Sequence, residues 1–355
     1  MAAQGKESII PHLFRVPKTS LSFPLSLVMK PLLHTFCLLF ALITVVEQKF
    51  VLAQVQAQTQ VTSPMQEFWR YWSDGKAELS HYAVTQSRYG EPRKADVFMI
   101  FVTEPFNLNK QVKADAPEAN NPAQTTVLKL NRVKKFQTGI YDYSLMTSVF
   151  VPLAAYTTDN ASFAAGTTIK VAFTCQEWCG TMFHQLNRVK NGVWSRSYSY
   201  FEPESDQQQT LMADSTLLLG DELFIAVREL VRPLDNNVSN GRVAQFYTTL
   251  ERARFSHKPL AASQAGMQRQ AVQARWNGKT VEATKWLVST GDGQWQFVVE
   301  KAYPRRILSY QHSDASGIIE SGELRTTTRL PYWSLHSLRD ESYLKLFKLN
   351  RTLPR

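Results

Sequence analysis

From Glu78 to Leu330 the chain reads as a succession of β-type runs cut by tight turns, and no other feature limits the fold as much. Val97-Phe98-Met99-Ile100-Phe101-Val102 is an unbroken apolar run of the kind that forms a strand covered on both faces. Asn191-Gly192, set between two such runs, is the strongest hairpin signal, and Gly291-Asp292-Gly293 reads as a second turn. Other strand-like runs are 125–130, 138–153, 167–178, 180–188, 193–201, 246–255, 281–289, 294–302, 306–311 and 323–330. Aromatic residues make up 12% of the chain, which suits strands better than a helical bundle. The expected fold is mainly β (α+β), a large curved antiparallel sheet or half-barrel. No period of the length used by solenoids or propellers recurs clearly, which argues against those architectures.

Three helices are expected around the sheet. Ser63-Pro64-Met65-Gln66 reads as a capping box with proline at the first helical position, opening an N-terminal helix that carries Phe68, Trp69, Tyr71 and Trp72. The apolar spacing of Phe224, Ile225, Val227, Leu230 and Val231 predicts a central helix from about Asp221, ended by Pro233. Residues 337–349 predict a basic amphipathic C-terminal helix, docked through Leu338, Tyr343, Leu344 and Phe347.

The N-terminus reads as an address. The apolar run from Pro31 to Val46 falls short of the roughly 20 residues a spanning helix needs. Lys30 precedes it and small residues follow at Ala53 and Ala57, the pattern of a cleaved secretory signal. Residues 1–57 are therefore expected as leader and 58–355 as a single β-rich domain, with two sheet halves meeting near 203–240. The expected location is exported, periplasmic or secreted, with a retained membrane anchor as the alternative. The leader holds five Lys or Arg and two Asp or Glu, so the net charge of +10 becomes +7 without it. Export argues against nucleic acid as a partner, whereas the basic C-terminal segment suits contact with an anionic membrane surface.

Thr174-Cys175-Gln176-Glu177-Trp178-Cys179-Gly180, with His184 following, is the most distinctive local string. Four readings compete for it. A Cys175–Cys179 disulfide suits an oxidising compartment, but in an extended strand the two Cα atoms would lie roughly 13 Å apart, beyond a bridge's reach. Cys179 and His184 could act as a thiol nucleophile and its base. The same two side chains could ligate a metal, for which the spacing supplies no third ligand. The fourth reading is a small buried cysteine beside a core tryptophan. Phosphate loops, nucleophile elbows, zinc-protease and dinucleotide fingerprints are all missing, so neither metal nor cofactor is expected. Trp69, Trp72, Trp178 and Tyr200 are the candidate ligand-binding aromatics.

Several strings together resemble a group of uncharacterised exported bacterial proteins. They are Phe68-Trp69-Arg70-Tyr71-Trp72, Gln86-Ser87-Arg88-Tyr89-Gly90-Glu91, Ile100-Phe101-Val102-Thr103-Glu104, Lys135-Phe136-Gln137-Thr138-Gly139-Ile140-Tyr141, Gln176-Glu177-Trp178-Cys179-Gly180, Tyr198-Ser199-Tyr200-Phe201 and Pro331-Tyr332-Trp333-Ser334. Members of that group often carry the label "septum formation inhibitor Maf". The chain has no Ser-x-Ser-Pro-Arg-Arg loop of the true Maf nucleotide pyrophosphatases, so the label implies no chemistry for it. The resemblance implies that Cys179 is the recurring cysteine and that Cys175 stands outside the pattern.

The expected function is a non-catalytic envelope protein that binds a lipid or another apolar or amphipathic small molecule, or a protein partner. The alternative is a thiol-dependent or other hydrolase using Cys179 and His184.

Overall fold

The computed structural model describes residues 64–234 and 243–347. The leader at 1–57 lies outside the described residues, as does part of the 203–240 boundary. The chain divides into Met1–Val61 and Thr62–Arg355, and every described residue belongs to the second unit.

The protein is mainly β. Its strands are β1 (Ala77–Arg88), β2 (Glu91–Asn107), β3 (Val112–Lys113), β4 (Gln124–Thr138), β5 (Tyr141–Pro152), β6 (Tyr156–Thr158), β7 (Ala161–Phe163), β8 (Lys170–Glu177) and β9 (Gly180–Val189). After these come β10 (Gly192–Ser199), β11 (Gln207–Met212), β12 (Leu218–Leu219), β13 (Val243–Tyr247), β14 (Ser263–Trp276), β15 (Lys279–Thr290), β16 (Gly293–Glu300), β17 (Ile307–Asp314) and β18 (Gly317–Leu330). Among the described residues, sixteen of them form one sheet in the order β11-β10-β9-β8-β5-β4-β2-β1-β18-β17-β16-β15-β14-β13-β12, with β3 beside β2. All pairs in it are antiparallel except β12–β13, so the sheet is mixed rather than purely antiparallel. It is open, with β11 and β12 at its edges.

The two halves of the sheet change over in sequence between β11 and β12, but they are hydrogen-bonded to each other through β1 and β18, Ala77 facing Leu330. The free edges also approach. Gln245 Nε2 and the Tyr247 hydroxyl donate to the Met212 carbonyl at 2.9 and 3.0 Å, and Gln245 Oε1 accepts from Asp214 N at 2.8 Å. Side chains thus join the edges where no ladder does.

Helix α1 (Pro64–Trp72) forms as its proline and aromatic spacing predict. Phe68 and Trp72, one helical turn apart, are buried, while Trp69 points outward. The central segment differs from expectation. It holds a 3-10 turn at Gly220–Glu222 and only one α-turn, α2 (Leu223–Ala226). Leu217 through Phe224 is buried on nearly every side, so its apolar spacing reports enclosure rather than a helical face. Phe224 packs on Trp295, Phe297 and Tyr310, and Arg132 of β4 lies over its other side at 5.0 Å. Both halves of the sheet therefore close on the same insert.

A second correction concerns 246–255, which the aromatic pattern suggests is a strand. Only β13 is extended; Thr249 then caps α3 (Leu250–Ser256), its hydroxyl accepting from Arg252 N at 3.0 Å. The C-terminal segment is a third. Leu338–Phe347 is a 3-10 run rather than an amphipathic α-helix, and Leu338 is exposed. Phe347 alone is buried, edge-on against Phe98 at 5.2 Å. No helix of the described residues is long and apolar enough to cross a membrane.

Candidate functional site at the hairpin end

Antiparallel pairing sends the turns Tyr89-Gly90, Gly139-Ile140, Trp178-Cys179, Gly291-Asp292 and Ala315-Ser316 to one end of the sheet. Helix α3 sits at the same end, and its successive side chains reach different walls. Glu251 turns inward to β4, Arg252 meets Asp314 at 2.6 Å, and Arg254 meets Glu204 at 3.0 Å.

The inward residues of β4 explain why α3 must carry Glu251. Alternation places Leu128, Leu130, Arg132, Lys134 and Phe136 on one buried face, so two cations stand between apolar neighbours. Buried charges require partners. Arg132 bonds Glu251 at 2.9 Å and also Glu320 of β18; Lys134 bonds Glu320 at 2.9 Å and also Glu251. Gln86 Oε1 accepts from Lys134 at 2.5 Å, and the Tyr310 hydroxyl donates to Glu320 at 2.8 Å. Burial alone would raise the Glu320 carboxyl, but Arg132 and Lys134 beside it hold it down at about 2. Two cations and two carboxylates thus form a closed quartet that ties β4, β18 and α3 together.

Beside the quartet lies a cavity of about 180 Å³. Leu130, Phe224, Phe255 and Trp295 give it apolar walls, and Arg88 and Tyr89 stand with them at the hairpin end. Trp295 and His312, exposed by only 3% and 2%, stack with ring centroids 4.1 Å apart. Trp295 Nε1, His312 Nε2 and Arg132 Nε are buried without a hydrogen-bond partner. Burial lowers the His312 imidazole from its ordinary value, keeping it neutral at physiological pH. Asp221 also lines the cavity and accepts from Leu250 N at 3.0 Å. Burial pushes its carboxyl up to about 7.

A wider crevice of about 660 Å³ lies beyond Arg252. Its main polar groups already pair, Arg252 with Asp314 and Thr248 with Asp292, so it offers fewer unmet groups.

The residues singled out from sequence are scattered. Cys175 is buried on β8 and Cys179 is exposed in the following turn; both are free thiols. Cys179 N donates to Glu177 Oε2 at 2.9 Å, and that carboxylate raises the Cys179 thiol above its ordinary value. His184 bonds the Ser195 hydroxyl at 2.8 Å, and burial lowers its imidazole to about 4. Five residues of extended chain, roughly 16 Å, separate Cys179 from His184, so the two are not brought together. Among the described residues no cluster of His, Cys, Asp and Glu suited to a metal is present.

The candidate aromatics divide between the two ends. Trp69 and Trp72 are on α1, which leads into the start of β1, away from the hairpin turns. Trp178 (69% exposed) and Tyr200 (76% exposed) belong to the hairpin end. Trp178 stands 6.3 Å from the Tyr141 ring, and the Tyr200 ring covers Gly180 so closely that a Cβ there would meet it at 2.6 Å. Arg132, Lys134, Glu251, Glu320, Asp221, Trp295 and His312 were not among the residues the sequence singled out as a site. The one sequence signal was the position of Arg132 and Lys134 in an every-other-residue apolar pattern.

No family model, curated protein or solved structure matches the chain.

Proposed function

We propose that this protein is an exported, non-catalytic binding protein whose ligand is a small molecule held in the cavity between α2, α3 and the inner face of the sheet. The observation that carries this reading is the pair of stacked, buried rings, Trp295 and His312, each with an unpartnered nitrogen, in the wall of that cavity. Buried polar groups are ordinarily paired, and a ligand is one way to pair them. An engineered apolar cavity of about 150 Å³ holds benzene, so this one suits a ligand built around a single ring rather than an acyl chain.

Export rests on the apolar run from Pro31 to Val46, and kinship with the group labelled "septum formation inhibitor Maf" rests on the strings from Phe68 to Ser334. A sheet shaped as a half-barrel around the central insert is the form that accords with both edges meeting near Met212. The thiol-hydrolase alternative lacks support, because the Cys179 thiol has the Glu177 carboxylate for a neighbour and His184 bonds the Ser195 hydroxyl.

The test is binding of ring-sized probes, such as benzyl alcohol, benzoate and indole, against palmitate. Calorimetry should show saturable binding by at least one ring probe, and none by palmitate. A protein that takes up palmitate instead, or no probe at all, overturns the reading.

A further inference from the structure

The ligand's chemical class follows from which groups around the cavity are left over, an argument that rests on the small-ligand reading above. The carboxylates there are spoken for. Both oxygens of Glu251 and of Glu320 are bonded within the quartet, and Asp314 holds Arg252. What remains is rich in N–H. Trp295 Nε1 and Arg132 Nε can only donate, and His312 Nε2 donates in its Nε2–H tautomer.

Arg88 adds a charge to this set. Its guanidinium sits between two rings, 4.4 Å from the Tyr89 centroid and 4.3 Å from that of Phe255. Its hydrogen bonds go to neutral oxygens, the Phe255 carbonyl at 3.3 Å, the Tyr143 hydroxyl at 3.3 Å and the Tyr89 hydroxyl at 3.4 Å. Among the described residues no carboxylate stands within ion-pair distance of it, and its Nε is buried and unpartnered. The Tyr89 and Tyr143 hydroxyls are 2.8 Å apart and fix the guanidinium from one side. A held, uncompensated arginine next to unmet N–H donors is a site built for a negative charge. Well below pH 7 Asp221 does not oppose it, since burial keeps that carboxyl protonated there.

We propose that the cavity takes a small ring-bearing carboxylate, its carboxylate on Arg88 and its ring among Phe224, Phe255 and Trp295. Benzoate and benzyl alcohol share the ring and differ in the charge, so the pair reads the two halves of the inference separately. Calorimetry on the purified protein should show benzoate bound at least tenfold more tightly than benzyl alcohol. Arg88→Gln should abolish that preference while leaving benzyl alcohol binding within about twofold, and Arg88→Lys should retain part of it. Equal affinities for the two probes in the unmodified protein overturn the carboxylate class and leave the small-ligand reading standing. Binding of neither probe overturns the carboxylate class, and the small-ligand reading falls with it if indole also fails to bind. A benzoate preference that survives Arg88→Gln removes Arg88 from the site and overturns the proposal as stated.

Discussion

Two groups of buried charge lie at opposite ends of this sheet, and they are built differently. At the α1 end, Arg228 grips Glu78 with two parallel bonds of 2.9 and 3.0 Å. Its remaining donors reach the Arg305 and Pro304 carbonyls at 3.0 and 2.9 Å, and its face covers Phe101 at 4.2 Å. The Tyr71 hydroxyl completes the carboxylate at 2.9 Å. Every nitrogen of that guanidinium is used. At the hairpin end the quartet is charge-balanced, yet Arg132 Nε, Trp295 Nε1 and His312 Nε2 remain unmet beside a cavity. The first cluster is a clasp. The second is a clasp beside a cavity: Trp72 Nε1 and the Tyr303 hydroxyl are unmet at the α1 end as well, but at the hairpin end the unmet groups line a cavity, which makes it the candidate site.

The largest test of the contrast is to cut the clasp. Arg228→Met leaves Glu78 buried and unpaired, and should cost about 3–5 kcal/mol in chemical unfolding. A loss below about 1 kcal/mol would mean that the α1 end is looser than its bonding implies.

Asp221 sharpens the contrast from the other end. Its carboxyl is raised from the ordinary range to about 7 by burial, so the folded state holds the proton more tightly than the unfolded chain. Stability should therefore fall as pH rises from about 4 to about 7 and level off above. Asp221→Asn can keep an oxygen for Leu250 N and removes the penalty. It should gain roughly 2–4 kcal/mol at pH 8 and converge with the unmodified protein near pH 4, read from urea midpoints. A flat difference across that range would show that Asp221 is already solvated.

The smallest expected effect on stability is Trp295→Phe. It keeps a ring against His312 and deletes an unmet donor, so stability should change by less than about 1 kcal/mol. The same variant should bind benzoate several-fold more weakly. If stability drops sharply instead, Trp295 Nε1 has a structural partner and the two ends are more alike than they look.

The sequence made parts of this molecule legible and hid others for physical reasons. Hairpins announced themselves because turn residues act locally: Asn191-Gly192 and Gly291-Asp292-Gly293 lie where β9–β10 and β15–β16 turn. Pro64 with Phe68 and Trp72 one turn apart was equally readable as α1. Helix α3 was hidden, because Phe246 and Tyr247 before it and Phe255 within it carry strand-like aromatics, whereas its start is set by one Thr249 hydroxyl. β14 was hidden because Gln268 to Ala271 interrupt its apolar alternation, between Ala265 and Met267 on one side and Val272, Ala274 and Trp276 on the other. The site was the least legible. Cys175, Cys179 and His184 draw the eye by being close in sequence, yet the cavity gathers Arg88, Arg132, Asp221, Glu251, Trp295 and Glu320 from six separate segments. Lys129, Arg132, Lys134 and Lys135 crowd one short stretch of sequence, and the pleat of β4 divides them, sending Arg132 and Lys134 inside and Lys135 to solvent.

The seam between β1 and β18 has a consequence for how the molecule comes into being. Ala77 opposite Leu330 means that the first strand of the sheet finds one of its two neighbours only after nearly the whole chain exists. Such a closure is entropically slow and cannot be completed while synthesis is under way. Glu320, which completes the quartet, is on that last strand as well. Without it, Arg132 and Lys134 have in the quartet only Glu251, one carboxylate for two cations. The seam of the sheet and the charge balance of its interior are thus completed by one and the same late strand.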